Sequence, residues 1–262
     1  MELSAKVVIP VASLALFWTW ESLQPFFGQP RGRLRHAARN LGLALMNTVI
    51  ISLGLAAGLA VVSLWADERA LGLLAVLDLP PILRAATSFL VLDAAMYLWH
   101  RANHRIPLLW RFHRVHHSDI HLDVTTATRF HLGEHVGAYL VRLVLIVALG
   151  IRLGDFVLYE LVLIVATQFH HADISLGAWD GRLRSLFVTP DMHKTHHSDR
   201  RAETDSNYGV VFSWWDRLGR THVVRSDPRG IRFGLEQWRS ERWQSLAGLW
   251  RTPFVKSEEG ES

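Results

Sequence analysis

Three short histidine clusters carry the chemistry of this chain. The first is His100-Arg-Ala-Asn-His104, an HxxxH; the second, His113-Arg-Val-His116-His117, and the third, His193-Lys-Thr-His196-His197, are both HxxHH. On a helix, positions i, i+3 and i+4 share a face with Cβ atoms about 5–6 Å apart. An HxxHH there points three imidazoles into one space, and an HxxxH points two. Neutral imidazole suits iron, zinc, copper and nickel, so the spacing specifies a metal site without naming the metal. A chain with 15 histidines in 262 residues would hold one HxxHH by chance only about once in twenty; this one holds two. A lone histidine on an apolar face is ordinarily a core residue, whereas eight in three clusters point to metal.

Boxes two and three share a longer phrase, HRVHHSD from His113 and HKTHHSD from His193. A ligating histidine commonly donates its other ring N–H to a carboxylate or carbonyl. Asp119 and Asp199, at the same offset, are the natural candidates, although aspartates at a helix end or on the surface would read the same way. Asp93 lies seven residues before His100 on the same helical face, and a carboxylate inside an apolar segment needs a partner; a box-one histidine is the expected one. Glu160, Ile164, Thr167 and His171 form a comparable line that carries His171 inward, unless Glu160 faces its neighbours. His131 and His135, with Glu134, make another HxxxH, and His170 sits at the same depth as the boxes. His36, His121 and His222 have no partner at ligand spacing and are expected at the surface.

The elements that position these residues are apolar helices. Half of the residues are hydrophobic, mean hydropathy is +0.14, and runs long enough to cross a bilayer recur. Leu41–Trp65 holds no charge, Val7–Phe27 only Glu21, and Ala85–Trp99 only Asp93, with a possible start after Pro80-Pro81; Val136–Ile151 and Leu153–Phe169 read as a helical hairpin. Leu71–Leu79 is too short to cross. The fold expected is all-α, a multi-pass transmembrane bundle of about four to five spans with a cytoplasmic helical cap carrying the boxes. The first span lacks the flanks of a cleavable signal peptide. Arg31, Arg33, Arg35 and Arg39 place the first loop in the cytoplasm, which puts every box, and the C-terminus, on that side; the basic pI of 9.8 then reflects membrane flanks, not nucleic acid. The absence of cysteine excludes disulfides, thiolate zinc sites and cysteine-held iron–sulfur clusters. The pattern Leu235, Trp238, Leu246, Leu249, Trp250 fits either an interfacial amphipathic helix or one packed on the cap, and Lys256–Ser262 reads as a disordered polar tail.

The phrases D-x-x-x-Y-x-x-H-R-x-x-H at Asp93–His104, W-R-F-H-R-V-H-H-S at Trp110–Ser118, and H-K-T-H-H-S followed by Asn207-Tyr-Gly resemble the fatty acid hydroxylase/sterol desaturase superfamily, in particular its bacterial members. The resemblance divides the chain into N-terminal helices (1–84), a catalytic domain (85–220) and a C-terminal tail (221–262). It implies a non-haem di-iron centre, with zinc as a possible substitute in recombinant protein, that activates O2 to hydroxylate or desaturate a lipid drawn from the bilayer. The ligands it implies are His100, His104, His113, His116, His117, His193, His196 and His197, together with His171, which fits the family's histidine at the end of the penultimate span better than His170 does. Members often read R-x-H-P-x-E where this chain has Arg129-Phe-His131-Leu-Gly-Glu134, so the proline is missing and His131 is expected beside the ligands rather than among them. No cytochrome b5-like domain is fused, so a separate ferredoxin- or cytochrome b5-like donor with its reductase is implied, and the inner membrane is the expected location in a bacterium. A metal-dependent membrane hydrolase and a histidine-rich metal transporter remain as alternatives. The hydrolase would want an open zinc with three protein ligands, and the transporter would place its ligands midway through the spans.

Overall fold

The structure, a computed structural model, describes residues 3–77 and 79–256. It is an all-α multi-pass bundle whose frame is α1 (Leu3–Leu23), α2 (Arg33–Gly54), α3 (Ala56–Glu68), α4 (Leu73–Val76), α5 (Pro81–Arg105), α6 (Pro107–His117), α7 (Leu132–Leu149) and α8 (Leu153–His171). Among the described residues the only extended pairings are two isolated bridges, Phe187 with Phe212 and Ser198 with Phe233. Helices α1, α2, α5, α7 and α8 are each long and apolar enough to cross a membrane. Their outward faces suit lipid rather than water, since Leu53, Leu140 and Val144 are all more than half exposed. Inside, Leu92, Met96, Ile146, Phe156 and Tyr159 bring α5, α7 and α8 together.

The uncharged run Leu41–Trp65, read above as one span, is two helices. Helix α2 begins earlier, at Arg33, and stops at Gly54; Leu55 (φ −121°, ψ −30°) leaves helical geometry before α3 starts at Ala56. Glycine costs a helix about 1 kcal/mol relative to alanine, and Gly54 and Gly58 flank the break. Gly58 also makes room for a neighbour, because a Cβ there would fall 2.4 Å from the Tyr139 hydroxyl and push that side chain aside.

The chain turns at two opposite ends. At the end away from the histidines, Gly150 (φ +69°) closes α7 in the left-handed conformation and Gly72 (φ +92°) presses on it. Of the segment Leu71–Leu79 only Leu73–Val76 is helical; it packs on this turn, and Asp78 lies outside the described residues. Arg84 donates to the Gly150 carbonyl at 2.7 Å, and Ser63 to that of Ile151 at 3.1 Å. At the histidine end, Pro107 forces the preceding Ile106 into extended geometry (φ −100°, ψ 114°), so α5 stops at Arg105 and α6 restarts at once. Boxes one and two therefore sit on the two arms of a proline corner. The arginine-bearing α1–α2 loop lies at this same end, where His36 meets Asp119.

The cap adds α9 (Asp180–Leu183), α10 (Pro190–His196), α11 (Arg201–Thr204), α12 (Trp214–Leu218), α13 (Glu241–Gln244) and α14 (Leu246–Arg251). The tail is thus broken into short pieces packed on the bundle instead of one interfacial helix: Leu249 joins Leu43 and Val115 in a buried cluster, and Arg114 donates to the Thr252 and Val255 carbonyls. The polar segment beyond Lys256 lies outside the described residues.

A Cβ on Gly72 would lie 2.1 Å from the Gly150 nitrogen, with backbone on both sides of the clash. Gly72→Ala should lower stability by about 1–3 kcal/mol, read as a drop in the thermal midpoint of the detergent-solubilised protein; an unchanged midpoint would show that the turn can open without cost.

Candidate metal centre

The proline corner, the end of α8 and helix α10 bring nine imidazoles into one buried space. Their ring nitrogens form two groups, each with all its atoms within 4.8 Å of one another: His100, His104, His113, His117 and His196 in the first, and His116, His171, His193 and His197 in the second. These are the nine residues that the sequence singled out. The division was not foreseen, because each HxxHH was expected to fill one space. At 3.6 residues per turn, i+3 lies about 60° to one side of i and i+4 about 40° to the other. Box two accordingly gives its i,i+4 pair, His113 and His117, to the first group and sends His116 to the second. Box three does the reverse, giving His193 and His197 to the second group and His196 to the first. The two groups interlock, with the His117 and His197 rings stacked at 4.6 Å and 22° between planes.

The outward nitrogens fix which way the lone pairs point. His113 Nδ1 donates to Glu134 at 2.9 Å, His171 Nδ1 to the Thr167 carbonyl at 2.7 Å, His100 Nδ1 to the Tyr208 carbonyl at 3.0 Å and His196 Nδ1 to the Ser206 carbonyl at 2.6 Å. With Nδ1 carrying the proton, each Nε2 is an acceptor only. In the second group only His171 is oriented this way; its Nε2 lies 3.1 Å from His116 Nε2 and 2.9 Å from His193 Nε2, and His193 Nε2 lies 3.1 Å from His197 Nε2, while the buried Nδ1 atoms of His116 and His193 have no hydrogen-bond partner among the described residues. Buried Nε2 atoms of His100 and His196 have no hydrogen-bond partner among the described residues. Burial, aided by neighbouring imidazoles, holds His116, His117, His193 and His197 well below the ordinary imidazole range and brings His196 down to about 3. Neutral rings with converging, unpaired lone pairs are what a cation of borderline softness satisfies, so the donor set fits one metal in each group.

The residues expected to support the ligands divide. Glu134 does so, holding His113 while accepting from Asn103 at 3.2 Å. Asp93 does not touch a histidine. Seven residues amount to about 10 Å along a helix, too far for a carboxylate to reach back to His100. Asp93 instead accepts from the backbone N–H of Val211 (3.3 Å) and Phe212 (3.1 Å), from the Trp215 indole (2.8 Å) and from the Tyr159 hydroxyl (3.4 Å). Asp119 meets His36, not a boxed histidine, at 2.7 Å. Asp199 lies at the surface, 3.7 Å from Arg232, because the chain has already left α10 there. His131 caps α7, its Nδ1 accepting from the Gly133 N–H at 3.0 Å, and lies in neither group. His170 packs its ring 4.0 Å from His193 without joining a group.

Sequence reasoning missed several supporting residues. His36, expected at the surface, is buried between Asp119 and Asp123, with its two ring nitrogens 2.7 Å and 2.9 Å from their carboxylates. Although burial pushes the Asp119 carboxyl up, Arg129 and His36 hold it well below the usual carboxylate range. Buried Arg129 closes this layer, donating to the Val115 carbonyl, Ser118 Oγ, Asn40 Oδ1 and Gln244 Oε1 at the end of the box-two helix. Asp216 accepts from the N–H groups of Tyr208 and Gly209 at 2.7 Å and 2.8 Å, and so fixes the carbonyl that orients His100. The Asn207-Tyr-Gly phrase and the lone arginine before His131 were the available signals. Beneath the histidines lies a cavity of about 500 Å3 between α1, α2, α5, α7 and α8, with His100, His113, His116, His171 and His193 in its wall.

Residues 85–221 match the family model described as fatty acid hydroxylase. The chain is 28% identical over 156 residues to an ornithine lipid hydroxylase of Rhizobium tropici, covering 60% of this chain and 46% of that one. It is 32% identical over 144 residues to an alkylglycerol monooxygenase of Caenorhabditis elegans, covering 55% and 28%. It is 26% identical over 173 residues to a very-long-chain aldehyde decarbonylase of Oryza sativa subsp. indica, covering 63% and 25%. The chain thus spans less than half the length of each of these curated relatives. No solved structure matches it.

Glu134→Gln should weaken divalent-metal binding by about 10–100-fold, measured by competition against a chelator, because the amide no longer fixes the His113 tautomer. His222→Ala, outside both groups, should leave it unchanged. Equal affinity of wild type and Glu134→Gln would count against the orienting role.

Proposed function

This chain belongs to the fatty acid hydroxylase family, and from that membership we propose that it is a membrane-embedded oxygenase that hydroxylates or desaturates a C–H bond of a lipid, using O2 and an external electron donor. The observation that carries the reading is the pair of interlocked imidazole groups in the wall of an otherwise largely apolar cavity. His100, His104, His113, His117 and His196 would hold one iron ion, and His116, His171, His193 and His197 a second; zinc could take their place in recombinant protein. When bound, the iron pair supplies O2 activation and the oxidising power needed to break an unactivated C–H bond. The protein's own part is positional. Glu134 and the carbonyls of Thr167, Ser206 and Tyr208 aim the imidazoles, Phe130 stacks on His116 at 4.2 Å and 15°, and Met96, Ala138, Leu163 and Ile164 line a space that excludes water and accepts an alkyl chain.

The substrate would come from the bilayer, because the cavity lies among the helices able to span it. Residues 85–220 form the catalytic portion in this reading, and a separate ferredoxin- or cytochrome b5-like protein with its reductase delivers electrons. In this reading Arg31 of the α1–α2 loop, with Arg33, Arg35 and Arg39 in the first turns of α2, favours the cytoplasmic side for the histidine end.

Cells expressing the wild-type chain under isotopically labelled O2 should accumulate either a lipid carrying one labelled oxygen or a lipid with an added double bond. His116→Ala and His196→Ala should each abolish that product, whereas His222→Ala retains it; product from either boxed variant would overturn the assignment. In sealed cells a membrane-impermeant thiol reagent should label Glu68→Cys and spare Ser240→Cys, both exposed positions, and the reverse pattern would invert the topology.

A further inference from the structure

The cavity has a second polar feature that the metal groups do not use. Arg142 of α7 and Glu160 of α8 both line it, and the guanidinium holds the carboxylate through Nε to Oε1 at 2.8 Å and Nη2 to Oε2 at 3.4 Å. Arg142 Nη1 has no hydrogen-bond partner among the described residues. Both helices are membrane-crossing candidates, and Leu140, Val144 and Leu158 nearby are exposed on the outside, so the charges lie at hydrocarbon depth. Ionisable groups there are expensive and ordinarily mark a partner or a polar pathway. A purely structural bridge between α7 and α8 would need no opening onto the cavity, whereas this pair forms part of the wall among Met96, Ala138, Leu163 and Ile164. His135, two turns nearer the metal-binding end on the same face of α7, also lines the cavity.

We propose that Arg142 and Glu160 form a subsite for an uncharged hydrogen-bonding group, a hydroxyl, amide or ester, on the lipid that the cavity holds. This rests on the reading of the cavity as the substrate site. The pair carries no net charge, so a carboxylate or phosphate would gain from Arg142 and lose to Glu160. An amide or hydroxyl can accept from Nη1 while donating to the carboxylate, and an ester can accept from Nη1. A plain hydrocarbon leaves both ions unanswered, and a site built to hydrogen-bond a group discriminates against the analogue that lacks it. The placement also sets a ruler. Arg142 lies about 12 Å along α7 from Glu134, and Glu160 about 16 Å along α8 from His171, so the oxidised carbon would lie roughly that far from the recognised group.

The test is binding, which requires neither bound iron nor turnover and can therefore fail independently of the oxygenase assay. The purified full chain is titrated with cetyl alcohol, palmitamide, palmitate and the hydrocarbon of equal chain length, with thermal stabilisation as the readout. Wild type should bind the alcohol and the amide about tenfold more tightly than the hydrocarbon or palmitate, the worth of one to two hydrogen bonds. The double variant Arg142→Met with Glu160→Leu should bind alcohol, amide and hydrocarbon alike. Glu160→Gln, which frees the positive charge, should turn the preference to palmitate. Wild type that does not discriminate, or that prefers palmitate, overturns the subsite.

Discussion

Nine imidazoles must be held with a ring nitrogen of each gathered into one of two compact groups in a buried space. Left to itself that arrangement is unfavourable, since unpaired acceptors crowd one another where no solvent can answer them. It persists because the surrounding backbone leaves the rings little choice. The Pro107 corner sets box one against box two, with the His104 and His113 ring centres 4.8 Å apart. Pro190 starts the short helix that carries box three, and α8 ends at His171. Four outward N–H groups, those of His100, His113, His171 and His196, are claimed by three carbonyls and one glutamate, which gives those four rings a defined tautomer.

The support for the imidazole groups comes in two layers. On one side the buried polar groups His36, Asp119, Asp123 and Arg129 tie α2 to the end of the box-two helix. On the other, Asp216 collects the backbone N–H groups of Tyr208 and Gly209 and Asp93 those of Val211 and Phe212, so that the Tyr208 carbonyl stands ready for His100. Gly209 belongs to this layer, because a Cβ there would lie 2.8 Å from the Asp216 carboxylate. Neither layer shares an atom with the convergent nitrogens.

Much of this was legible in the residues. Histidine spacing identified eight of the nine members of the two groups, the family resemblance supplied His171, and apolar runs identified the membrane-length helices, because these signals are local. What was not legible depended on long-range packing or on helical rise. Asp93 shares a face with His100, but the rise along α5 carries it two turns away. Asp119 follows the box at the right offset, yet its partner is His36, 83 positions earlier in the chain. The division of each HxxHH between two groups follows from the opposite rotation of i+3 and i+4, and becomes visible only once both boxes face each other. The break at Leu55 was hidden because hydropathy does not distinguish glycine that bends a helix from glycine that merely sits in one.

The central claim is that the interlocked groups are two metal sites and not one polynuclear histidine cluster of structural purpose. Elemental analysis of the full chain, purified from an iron-supplied host and combined with X-ray absorption at the metal edge, tests it most directly. The account predicts two metal ions per chain, iron in that host, with a nitrogen-dominated first shell. A folded protein holding no more than one metal per chain, or a shell dominated by oxygen, would contradict it.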